Sequence, residues 1–343
     1  MPDRKAVAEY QAEKAVVRAF HDALDNSTPA NIEQALAQFV SPDWHWRGMH
    51  PFHEQYGPEA VARVFWTPLR NALRPLQRRP DIFIAGRNAI DGGDSVWVTE
   101  MGHLMGLFER PWLGIRHTLR IVMLRYCEFN RVVDGKIVET AMFCDIPHLM
   151  MQAGQNPFPP QTGAMLVQPG PRTHTGLCYE RQDPARGEAT LAAIDAMLKN
   201  PGAKFHNKDE ATRLARVWHD DMIWWGPAGI GATFTIERYV RQHSIPFDNA
   251  LSAGYRFNGH IAKIAEGDFG GFFGWANLTL RNAGGYMGMT AGPAAADMRV
   301  IDMYRAQDGK LAENWIFIDI LHYLAMQGLD VLKRMDAVQS GGG

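Results

Sequence analysis

The chain is poor in cysteine, nearly neutral, and has no long apolar run. Three of its 343 residues are cysteine: Cys127, Cys144 and Cys178. An odd number with no C-x-x-C spacing excludes a disulfide framework and a paired-cysteine motif, and reads as free thiols in a reducing compartment. The net charge of −2 gives no polyanion-binding surface, so no nucleic acid partner is expected. No apolar run approaches the ~20 residues that span a bilayer. The N-terminal MPDRKAVAEYQAEKAV has no apolar signal core. These absences predict a soluble, cytoplasmic protein without a membrane partner. Walker, dinucleotide and Ser-His-Asp patterns are missing too, and no cofactor is expected. Gly270, Gly271 and Gly274 lie in a strand-like run with no following helix, which marks close packing rather than a phosphate loop.

One phrase occurs twice. DGKIVETAMFCDIPHLMMQAG begins at Asp134, and DGKLAENWIFIDILHYLAMQG begins at Asp308, 174 residues later. Glu139 matches Glu313, Phe143 matches Phe317, Asp145 matches Asp319 and His148 matches His322, with no gap. Asp-Gly between apolar runs is a hairpin signal, the alternation that follows is a strand, and the Leu/Met spacing beyond it is a helix. Each aspartate stands where strand becomes helix. Upstream the halves match at a spacing of 178: Asp43, Trp46 and Gly48 recur as Asp221, Trp224 and Gly226. Four extra residues therefore lie between Leu73 and Asp94.

In order, each half reads helix, helix, strand, helix, four strands and a short helix. In the first half helices are predicted over 5–24, 31–40 and 57–73, and strands over 43–46, 81–90, 95–107 and 117–133. The expected domains are 1–157 and 187–339, joined by a Pro/Gly-rich linker over 158–186, with a disordered tail over 340–343. Helices grouped before hairpin-linked strands argue an α+β fold with a curved antiparallel sheet wrapped into a cone over the helices. The 119–129 strand is apolar on both parities, so both of its faces must be covered. The simplest cover is the other half's sheet, a pseudo-dimer within one chain, with room for further homo-oligomers.

The order of elements and the phrase DGK-(I/L)-x-E-x-x-x-x-x-D resemble the SnoaL-like polyketide cyclases of the nuclear-transport-factor-2-like superfamily, over roughly 10–155 and 188–335. The resemblance implies a cone-shaped pocket and places the acid/base role on Asp145 and Asp319. Family members commonly have His after the strand's Glu and a further Trp-Asp before the final Asp; here Thr140 and Asn314, then Phe143-Cys144 and Phe317-Ile318, stand instead.

The candidate catalytic residues are Asp319, Asp145, His322 and His148. The aspartates serve equally well as helix N-caps, and the histidines as helix-surface residues. His103 and the equivalent Asn277, with Trp97 and Trp275 on the same strands, read as a polar group in an aromatic pocket wall. Trp46 and Trp224 read as core that also lines a pocket. Arg125/Arg299 with Glu128/Asp302 read as a structural ion pair or an anion clamp. His50 and His53, with His45 and Glu54, form a metal-like cluster of no recognised zinc spacing. The function expected is a cofactor-independent acid–base enzyme acting on a small, partly apolar molecule by aldol-type cyclisation, isomerisation, dehydration or hydrolysis. The alternatives are a non-catalytic small-molecule binder or assembly protein, and a metal-dependent enzyme built on the His50/His53 loop.

Overall fold

A computed structural model describes residues 10–199, 210–251 and 254–340. The first half runs α1 (Gln11–Asp25), α2 (Ile32–Ala37), β1 (Val40–Gly48), β2 (His53–Tyr56), α3 (Gly57–Val61), α4 (Thr67–Ala72), β3 (Leu73–Arg87), β4 (Val96–Phe108), β5 (Ile121–Val133), β6 (Lys136–Cys144) and α5 (Ile146–Gln152). The second runs α6 (Pro184–Lys199), α7 (Glu210–Leu214), β7 (Trp218–Trp225), β8 (Ala232–Phe234), α8 (Thr235–Tyr239), α9 (Ile245–Leu251), β9 (Arg256–Phe257), β10 (Ala262–Glu266), β11 (Phe269–Arg281), β12 (Ala295–Gln307), β13 (Lys310–Ile318), α10 (Ile320–Met326) and α11 (Val331–Ser340). Residues 5–9 of the predicted first helix and 341–343 of the predicted tail lie outside the described residues.

Two curved sheets result, ordered β2-β1-β6-β5-β4-β3 and β10-β11-β12-β13-β7-β8, with β9 against β11. Both DGK phrases close tight hairpins. Asp134 and Gly135 have φ of 47° and 75°, and Asp308 and Gly309 repeat those values, as a turn with two left-handed central residues requires. The short β2 and β8 were not predicted; they add a strand to the edge of each sheet. In each half one π-turn, Ala62–Trp66 or Val240–Ser244, interrupts the third helix. Each lies just upstream of a proline, Pro68 or Pro246, which has no N–H to donate back into the preceding turn.

The two halves meet sheet to sheet, as the doubly apolar strand requires. Trp97 and Phe129 pack on Phe273 at 5.3 and 5.2 Å, and Phe143 packs edge-on to Trp275 at 5.7 Å. The inner face of the first sheet is covered by α1, that of the second by α6. The linker is not a free tether. Gly163 N–H donates to Ile230 at 2.9 Å, and Gly176 accepts from Phe83 at 2.8 Å, so it is pinned to both sheets. Among the described residues, no helix is long and apolar enough to cross a membrane. All three cysteines are buried and free.

Candidate functional site

The repeated aspartates are fixed by two kinds of donor. Each caps the helix that follows it: Asp145 accepts from His148 N–H at 3.1 Å and Asp319 from His322 N–H at 3.2 Å. Each also reaches across the seam. Asp145 accepts from Ala228 N–H at 3.0 Å, and Asp319 from His50 N–H at 3.0 Å. Ala228 and His50 are themselves equivalent, 178 residues apart, so the two contacts form a reciprocal latch. Arg299 adds a contact to Asp319 at 3.5 Å, and Arg125 approaches Asp145 at 3.9 Å. Burial lifts the Asp319 carboxyl to about 6, against the pull of Arg299 and the two amides.

Around Asp319 the fold gathers several of the predicted residues. His50 and His53 have ring centres 5.3 Å apart, and His53 and His322 lie at 6.5 Å. Arg299 lies on the Trp275 ring at 3.8 Å. Burial first, and Arg299 with it, lowers all three imidazoles, His322 to about 4. These histidines do not gather into a metal-ligating group. Among the described residues, the one set of histidine and carboxylate ligand atoms all within 4.8 Å of one another is His21, Glu100 and Glu128.

Other expected site residues are dispersed. His103 Nδ1 bonds Asp81 at 3.1 Å. Asn277 accepts from Val300 N–H at 2.8 Å and approaches His260 Nδ1 at 3.1 Å. Trp97 faces the other sheet rather than a pocket. Arg125 donates to the Trp225 and Ile316 carbonyls and lies on Phe317 at 4.0 Å. The expected pairing of Arg125 with Glu128 and of Arg299 with Asp302 is not formed. Three residues apart on a strand, the arginine points to the seam and the acid into the cone.

The inner faces hold the contrast between the halves. In the first cone His21 of α1 bonds Glu128 and stands 3.3 Å from Glu100. Arg78 lies 3.1 Å from Glu100 and 3.7 Å from Glu128, and Tyr126 donates to Glu100. Burial and Arg78 push the His21 imidazole down, but Glu100 and Glu128 outweigh them and raise it to about 9. Burial alone would raise the Glu100 carboxyl; His21, Arg78 and Tyr126 hold it at about 2. Two carboxylates thus face two cations. A metal here would compete with the Arg78 guanidinium for the same oxygens. The mouth of this cone is stoppered by Phe52 against Phe65 at 4.9 Å and against Trp112 at 5.9 Å, with Trp46 behind at 5.4 Å from Phe65.

In the second cone Asp302 occupies the position of Glu128. Asn314 Nδ2 donates to it at 3.0 Å and the Tyr304 hydroxyl bonds it. No cation faces it among the described residues, and burial raises its carboxyl to about 7 despite those two donors. Phe272 and Trp218 pack beside Tyr304 at 5.8 and 5.9 Å. Tyr239 feels the Asp302 charge and lies 5.7 Å from Trp224. Trp224 stacks at 3.9 Å on His243, which stands where the first half has Phe65. This mouth is open. A cavity of about 140 Å³ is lined by His243, Phe247, Tyr286, Met287 and the 159–162 stretch of the linker. With no hydrogen-bond partner among the described residues, the His243 imidazole is pushed by burial down to about 3.

The profile of the SnoaL-like domain matches residues 17–140. The first half is a SnoaL-like domain. That domain has the sheet order and helix placement that the second half repeats. Among the solved structures that align with part of the chain are the following three. A protein from Jannaschia sp. CCS1 classed with the SnoaL-like polyketide cyclases is 20% identical, covering 44% of this chain and 95% of its own, at a TM-score of 0.34. An NTF2-like protein from Burkholderia xenovorans LB400 is 11% identical over 41% and 96%, at 0.33. An LEH-like epoxide hydrolase from M. tuberculosis is 12% identical over 46% and 98%, at 0.29. Among curated proteins no match is found.

In the sequence Asp302 reads as half of a structural ion pair or of an anion clamp, not as a proton carrier. The signal that could have singled it out was the exchange Glu128/Asp302 together with Phe65/His243. One half keeps an aromatic plug where the other places a polar ring.

Proposed function

We propose that the second SnoaL-like cone is the working site of a cofactor-independent acid–base enzyme, with Asp302 as the group that takes and returns a proton. One observation carries the reading: a buried carboxyl held at about 7 in an aromatic cone, with a cavity of about 140 Å³ against His243 at its edge. A base of that strength is half ionised near neutral pH, the condition for reversible proton transfer. Tyr304 and Asn314 orient the carboxyl. Tyr239, which feels the Asp302 charge, and His243, which lines the outer cavity, are the donors proposed for a developing oxyanion. Trp224 and Phe272 supply the apolar wall, so the substrate class is a small, partly apolar carbonyl compound with an acidic C–H. Cyclisation, isomerisation and dehydration of such a compound all begin with that proton.

Asp145 and Asp319 take a structural role in this reading, as caps and latches. The test is solvent-deuterium incorporation into a panel of small cyclic and acyclic ketones, read by mass spectrometry. Wild type and Asp319→Asn should catalyse exchange, while a folded Asp302→Asn should lose it by at least about a hundredfold. Loss in Asp319→Asn with retention in Asp302→Asn would return the role to the repeated aspartate.

A further inference from the structure

One cavity of the described chain lies outside both cones. It is a groove of about 480 Å³ between the β4–β5 loop of the first half, the 153–157 segment that follows α5, and α11 at the end of the second half. Its apolar side is Leu329, Val331, Met335 and Val338. Arg116 and Arg334 line it from different elements. Both arginines are exposed, and neither side chain has a hydrogen-bond or ion-pair partner among the described residues. Val338 is 66% exposed, an apolar residue left uncovered beside two free guanidinium groups.

We propose that this groove binds a small amphiphilic carboxylate, its acid head between Arg116 and Arg334 and its apolar body on α11. The volume lies within the range of small-molecule sites, about 300–1,000 Å³. A guanidinium presents a planar fork matched to a carboxylate; with Asp336 of α11 close to Gly114 in the same loop as Arg116, the two arginines still leave an excess of positive charge around the groove. The apolar residues Val331, Met335 and Val338 lie at positions one to two turns apart on α11, so they form a single stripe against which a hydrocarbon chain can lie. Because the groove is walled by both halves, an occupant ties α11 to the first half and stabilises the pair by mass action.

The experiment is calorimetric titration of the full chain with sodium decanoate below its micelle concentration, with 1-decanol as the uncharged control. One saturable decanoate site is expected, accompanied by a rise in the thermal midpoint. Arg116→Gln and Arg334→Gln, both exposed and unpaired, should each weaken binding about fivefold and fold normally. Decanoate binding should survive unchanged in Asp302→Asn, which separates the groove from the cone whatever the outcome there. Equal binding of decanol, or unchanged decanoate binding in the Arg116→Gln/Arg334→Gln double variant, overturns the proposal.

Discussion

The carboxyl of Asp302 makes a prediction that needs no substrate. Its ordinary value of 3.8 is raised to about 7 by burial. Between those two values the folded protein keeps a proton that the unfolded chain has lost. Folding stability from this group is therefore fully present below pH ~4 and declines as pH rises toward ~7, beyond which the loss is complete. A displacement of about three units corresponds to about 4 kcal/mol, an upper figure for a residue that is 7% exposed. Asn at 302 has the shape of the protonated acid and cannot ionise. The stability of Asp302→Asn minus that of wild type should thus climb by about 2–4 kcal/mol between pH 4 and pH 7.5 and level off above it. Urea denaturation of both proteins in half-unit pH steps gives this difference curve directly. Taking the difference cancels Asp319, which loses its own share toward pH 6, and His243, His260 and His322, whose lowered imidazoles give slopes of opposite sign below 6.5. A flat difference curve, or one that falls with pH, would mean that Asp302 is ionised like a surface carboxylate, and the proton-carrier reading would go with it.

Three further outcomes follow from the same geometry. Asp319→Ala leaves Arg299 and the His50 and His322 amides unpaired, and should cost about 3–5 kcal/mol in urea denaturation, more than a cap alone at ~0.5–2 kcal/mol. Glu128→Gln removes one of the two anions that hold His21 at about 9; the stability His21 contributes, present below 6.5 and lost as pH rises through 9, should then be lost at a lower pH, seen as a shifted alkaline limb in the urea midpoint. Phe52→Ala should destabilise by about 3–5 kcal/mol and admit a small apolar probe such as indole to the first cone, read by fluorescence quenching of Trp46 and Trp112; an unchanged quenching profile would show that the stopper is not what closes that cone.

Much of the architecture was legible because duplication printed it twice. The ungapped match of Asp134–Gly154 to Asp308–Gly328 predicted two hairpin–strand–helix units, and β6–α5 and β13–α10 lie at that spacing. The strand apolar on both parities called for sheet-on-sheet packing, and Phe129 meets Phe273 there. The site was less legible, for a specific reason. Sequence places Asp145 and Asp319 at a strand end but does not say from which half their donors come. The donors are Ala228 and His50, which carry no side-chain chemistry in this contact: both act through backbone N–H. Likewise the Arg125–Glu128 spacing reads as a pair only if strand parity is ignored. The β4–β5 loop reaching α11, and the linker bonded to Ile230 and Phe83, depend on long-range docking that no local pattern encodes.

The exchange of amides across the seam also constrains where chemistry can reside. A carboxylate that accepts two backbone N–H bonds and an arginine contact cannot leave them without breaking a helix cap and the joint between halves together. Asp319 has no exposed surface from which to meet a substrate. The inner strand position occupied by Glu128 and Asp302 carries no such duty. In the first half that freedom is spent on an internal salt network under an aromatic stopper. In the second the network's counterparts are absent from the described residues, Phe65 beneath the stopper is replaced by His243 and the stopper Phe52 by Ile230, and the acid is left in an apolar wall with two neutral donors. Equivalent positions in one duplicated fold therefore give one half a buried salt network and leave the other a buried acid without a counter-charge, which is the basis of the proton-transfer proposal. If His243→Phe both filled the 140 Å³ cavity and abolished deuterium exchange while Asp302 kept its titration near 7, access through that cavity and acidity would be separated as two independent requirements of the same cone.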